Sequence, residues 1–284
     1  MEIKIKRWRQ LGLGAALAGG TLTACGGEPA EAPAPEPETV AEAQIAPAST
    51  VGEGEAGGEG EGEAGEGEGG VSISAAATDP VVFISALAIA EAHVIAARDA
   101  FAMGETDAAA EMFGHPVGEV LFDLQPVLEA RGVEDFSQLF IDASAAIFDG
   151  EDEDQINARA DEIIAALRAA AGKAPDNGSS EAAIASGVAA DQIERAADMY
   201  RAAAESDRYE PYLDGYGFYK AAEAAFLPAE ADIEAEDAEA AMRIREALAL
   251  LEDAYPSALR PDALDADQSA LTVAASRVIL AVRN

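Results

Sequence analysis

The chain has 284 residues, with 54 acidic against 18 basic side chains and a formal net charge of −36. A surface of that sign repels phosphate backbones and anionic headgroups, so nucleic-acid binding is excluded. The single cysteine rules out intrachain disulfides and zinc sites built from several thiolates.

Lys4, Lys6, Arg7 and Arg9 make a basic start, and Leu11 to Leu22 is an apolar run too short to span a bilayer as a lasting helix. It ends in Leu22-Thr23-Ala24-Cys25, where small residues precede the cysteine. This pattern resembles the bacterial lipoprotein signal. The resemblance implies that residues 1–24 are removed and that Cys25 becomes the N-terminus and carries the acyl chains. Gly26 stands where lipoproteins retained in the inner membrane carry Asp, so the implied location is the outer membrane, on its periplasmic side, with the N-terminal lipid as the membrane contact. Processing at that point leaves 14 basic against 53 acidic side chains, and Trp8 departs with the signal.

From Cys25 to Ser72 the composition cannot build a core. A Pro/Ala/Glu stretch, Glu28 to Pro37, leads to the Gly-Glu repeat Gly52 to Gly70, with no basic residue in between. Nothing there offsets the entropy of ordering, so a disordered acidic tether is expected, with a coil reach of roughly 40 Å.

Residues 73–284 are rich in Ala, Leu, Ile, Glu and Arg, with apolar residues at helical spacing and Gly or Pro at the breaks. The expected fold class is all-α, one bundle of about eight or nine helices. The first helix starts with Asp79 as N-cap and Pro80 behind it and stops at Gly104. A second spans about Glu105 to Phe113. A third begins at Pro116, bends at Pro126 and ends at Gly132. Helices at about Glu134–Asp149 and Glu153–Ala171 precede the loop Lys173 to Ser179, and four more follow near Ser180–Ser206, Tyr209–Phe226, Ala231–Ala254 and Asp265–Val282.

Enzyme signatures are missing: there is no Gly-x-Ser-x-Gly elbow, no phosphate-binding Gly-rich loop before a Lys, and no His-Glu-x-x-His. The acidic run from Asp149 has Asp154 where a calcium loop needs Gly and Ala160 where it needs a bidentate Glu, so it reads as a helix N-terminus. The expectation is a non-enzymatic protein.

The two histidines of the chain, His93 and His115, are equidistant in sequence from Gly104. A reversal there brings both imidazoles to one level on neighbouring helices. Glu111, one turn before His115, and Glu119, four residues after it, are the carboxylates within reach. Two imidazoles with one or two carboxylates suit iron, zinc or copper. The competing reading is a core histidine at His93 and a helix cap at His115. A second cluster, Tyr212, Tyr216 and Tyr219, forms a stripe that is either a packing seam or a ligand wall, with Gly215 and Gly217 allowing a close approach.

Gly114-His115-Pro116-Val117-Gly118-Glu119 distantly resembles the Gly-x-His-x-x-Glu motif of imelysin-like periplasmic proteins, an all-α group that includes lipoproteins linked to iron uptake. Here the glycine abuts the histidine and the carboxylate stands one residue further on. The resemblance implies metal ligation by His115 and Glu119. The expected function is a lipid-anchored periplasmic binding protein for a transition-metal cation. The alternative is a structural lipoprotein that docks a protein partner through helical hairpins, of which Ala96 to Phe113 is the best example.

Overall fold

A computed structural model describes residues 70–283, and among these every regular element is helical. The signal, Cys25 and nearly all of the expected tether lie outside the described residues. In chain order the helices are α1 (Ile73–Ala76), α2 (Pro80–Ala102), α3 (Thr106–Pro116), α4 (Phe122–Ala130), α5 (Ser137–Asp149), α6 (Glu153–Ala171), α7 (Glu181–Ala204), α8 (Glu210–Phe226), α9 (Glu230–Glu236), α10 (Ala238–Ala254) and α11 (Gln268–Val282). The expected all-α bundle is what these residues form, with nine helices of nine residues or more among those described.

Helix α2 is the axis of the bundle. The Asp79 carboxylate accepts from the Val81 and Val82 amides at 2.8 and 3.4 Å, Pro80 sits where no amide is needed, and Gly104 ends the turn at φ +88°. Between these stops α2 is apolar on every side and long enough to cross a bilayer, yet 72% of its most apolar window is buried inside the fold. It packs against α3, α6, α7 and α8, and so joins the helices before the Lys173 to Ser179 loop to those after it. The small residues Ala86, Ala90, Ala92, Ala96 and Ala97 are fully buried and let those neighbours come close.

Three boundaries differ from the expected ones. The expected break at Gly114 to Pro116 does not occur: α3 runs through Pro116 into a π-helical turn, Val117–Leu121, and on into α4. Proline lacks the amide and crowds the carbonyl four residues back, and the wider turn accommodates both defects, with the Phe122 amide donating to the Val117 carbonyl five residues earlier. The segment Ala231 to Ala254 is two helices, because Asp237 leaves helical geometry (φ −144°, ψ 89°) and its side chain caps the Ala240 amide at 2.9 Å. The short α1, capped by Ser72, has too few residues to show a period.

Candidate metal centre

The site lies where α2, the π turn and α8 meet. His93, on the buried face of α2, is 4% exposed. Its Nδ1 lies 2.8 Å from the Ile89 carbonyl one turn earlier. A carbonyl can only accept, so Nδ1 carries the proton and Nε2 presents a lone pair. The Phe218 ring meets the imidazole edge to face at 5.9 Å between centroids, which fixes its orientation. Burial pulls the imidazole below its ordinary pKa, against the Ile89 hydrogen bond and the Glu119 charge, which raise it.

His115, on the last turn of α3, is half-buried, and its ring stands 6.0 Å from that of His93, centroid to centroid, at 72°. Glu119 reaches both: Oε2 is 3.7 Å from His93 Nε2, and Oε1 is 4.0 Å from His115 Nδ1. One ligand atom each from His93, His115 and Glu119 falls within 4.8 Å of the other two. The Glu119 side chain is 40% exposed, so the cluster opens to solvent on that side and closes at His93.

The π turn explains how Glu119 gets there. A turn closed five residues apart takes up one residue more than a turn closed four apart. Glu119, four residues after His115, therefore comes back over it much as a residue three later does on a regular helix.

Of the other residues singled out in the sequence, Glu111 is exposed on α3 and does not join the cluster. Tyr212, Tyr216 and Tyr219 are buried within 8% exposure. The Tyr212 hydroxyl donates to the Ser257 carbonyl (2.9 Å) and that of Tyr216 to the Asp99 carboxylate (2.7 Å), while the Tyr219 ring stacks on Tyr255. They fasten α8 to α2 and to the segment after α10. An apolar groove lined by Leu87, Leu167 and Leu227 and rimmed by the Glu91–Arg168 ion pair (2.6 Å) does not include the histidines.

One residue of the site was missed from sequence. Asp214, on α8 among the tyrosines, places Oδ1 3.6 Å from His93 Nε2 with its side chain 18% exposed. Burial is the main cause that pushes its carboxyl up to about 7, with His115 opposing the rise and Glu119 adding to it. The signal available in the sequence was its position beside Gly215 and Gly217. A Cβ at Gly217 would lie 2.5 Å from the Ala92 carbonyl oxygen, and one at Gly215 1.9 Å from the Tyr255 hydroxyl. Only glycines let α8 lie this close to α2 and Tyr255.

No family model, no curated protein and no solved structure matches this chain.

Proposed function

We propose that this chain is a lipid-anchored helical binding protein of the outer membrane's periplasmic side, and that it holds a transition-metal cation at His93, His115 and Glu119. The observation that carries the metal is the convergence of these three side chains, from two helices and a π turn, within 4.8 Å. Imidazole nitrogen with carboxylate oxygen is a donor set suited to first-row metals such as iron, zinc or copper. The net charge of −36 raises the local concentration of cations. The distant likeness to the Gly-x-His-x-x-Glu motif points the same way, since the π turn makes up for the shifted glutamate. The lipid anchor rests on Leu22-Thr23-Ala24-Cys25 and the basic residues before it.

Elemental analysis of the purified protein after incubation with Zn2+ and removal of excess tests the metal. One equivalent per chain in the wild type, lost in the double variant His93→Ala/His115→Ala with helicity retained, is the expected result. No stoichiometric metal in the wild type overturns it. Labelling cells with a fatty-acid probe tests the anchor: label is expected on the wild type and not on Cys25→Ala, and unlabelled wild type overturns it.

A further inference from the structure

We propose that Asp214 is a fourth ligand of this centre and that the site takes a single divalent first-row cation. The inference rests on the reading of His93, His115 and Glu119 as a metal site, and adds to it a residue from a helix about a hundred positions further along the chain.

The Oδ1 atom of Asp214 is buried and accepts no hydrogen bond among the described residues. A buried carboxylate oxygen without a donor is costly to hold in place. The group it faces is no donor. His93 has its ring proton on Nδ1, directed at Ile89, so the Nε2 atom 3.6 Å from Asp214 is an acceptor too. Glu119 Oε2, 3.7 Å from the same Nε2, is an acceptor as well. With both carboxyls ionised, the acceptor atoms of Asp214 and Glu119 converge on the lone pair of His93 Nε2, and a cation among them turns the repulsion into bonding.

The spacing around His93 Nε2 fits an ion. Ligand atoms 2.0–2.1 Å from a tetrahedral metal lie about 3.4 Å from one another. The separations of 3.6 and 3.7 Å at His93 are too long for hydrogen bonds and close to that edge length. His93, His115 and Glu119 already lie within 4.8 Å of one another, and Asp214 and His115 must rotate inward to complete the set, His115 Nδ1 now standing 4.0 Å from the other Glu119 oxygen.

Charge and donor type define the ligand class. Two imidazoles bind as neutral ligands and two carboxylates bring two negative charges, so a divalent ion leaves the half-buried site neutral. Two nitrogens and two oxygens without sulfur suit Zn2+, Co2+ or Fe2+. Ca2+ and Mg2+ need more oxygens, and Cu+ prefers sulfur.

The test is Co2+ titration of the full chain and of Asp214→Asn, which keeps the shape of the side chain, read by visible absorption and competed with Zn2+. The expected result is one Co2+ per wild-type chain with the intense bands of four-coordination. In Asp214→Asn, affinity should fall by at least about tenfold and the bands should weaken or shift. If wild type binds and Asp214→Asn matches it in affinity and spectrum, the fourth ligand is overturned while the three-residue site stands. If wild type binds neither Co2+ nor Zn2+, the site itself is overturned and this inference with it. Asp214→Ala, read in the same way, separates loss of the ligand from residual binding by the amide oxygen.

Discussion

The Nε2 atom of His93 and the Oδ1 atom of Asp214 face each other at 3.6 Å across the contact of α2 with α8, with Gly217 one turn from Asp214 seated against the Ala92 carbonyl. The close approach of the two helices and the meeting of the two side chains are one feature. Altering the first should alter the second.

Gly217→Ala tests this. The new methyl would lie 2.5 Å from the Ala92 carbonyl oxygen, so α8 must move off α2. Overpacking of this kind costs about 1–3 kcal/mol, and the displaced Asp214 should weaken Zn2+ binding as well. Gly114→Ala is the control: a Cβ there meets nothing within 4 Å, and the exchange on a helix should stabilise by up to about 1 kcal/mol with metal affinity unchanged. Thermal melts and Zn2+ titrations of both variants check the pair. Equal effects from both would disprove the link between helix approach and site geometry.

The pH dependence of the metal-free protein carries a second signature. Asp214 has a folded pKa of about 7 against an ordinary 3.8, so it takes up a proton on folding. Its contribution to stability is full below 3.8 and is lost as the pH rises through 7. Asp214→Asn removes that loss. With chelator present, the variant should match wild type near pH 4 and exceed it by the order of a few kcal/mol at pH 8. Denaturant melts across this range measure it. A constant difference at all pH values would contradict the assignment.

The π turn yields a third. Deleting Gly118 turns His115-x-x-x-Glu into His115-x-x-Glu and should return the turn to regular α geometry, which keeps α4 in register and the glutamate over the histidine. The variant should fold with wild-type helicity and retain Zn2+ affinity within about tenfold. Circular dichroism and competition titration check this, and loss of the fold would show that the turn does more than absorb one residue.

The tyrosines give a fourth. Tyr216→Phe removes the hydrogen bond to Asp99 and should cost about 0.5–1.5 kcal/mol with Zn2+ affinity unchanged. Tyr255→Phe, which frees the Ala196 carbonyl from its 2.7 Å bond, should behave alike. A change in affinity larger than the loss of stability would return these residues to the ligand.

Much of the scaffold was legible in the chain because its signals are local. Asp79-Pro80 and Gly104 mark helix ends through backbone chemistry within a few residues. Pro116 misled because proline at the first turn of a helix and proline inside a widened turn leave the same mark in sequence. Asp237 carried no Gly or Pro to reveal the break before α10. The pairing of His93 with His115 across Gly104 followed from the symmetry of a hairpin. Asp214 did not, because its place beside His93 depends on which distant helix packs against α2.

The most direct measurement is anomalous X-ray scattering at the zinc edge from crystals of the full chain grown with Zn2+. The account predicts one peak per chain, about 2.0–2.1 Å from His93 Nε2, a His115 ring nitrogen, a Glu119 oxygen and Asp214 Oδ1. A fully occupied zinc elsewhere on the surface, with His93 Nε2 bare, would contradict it.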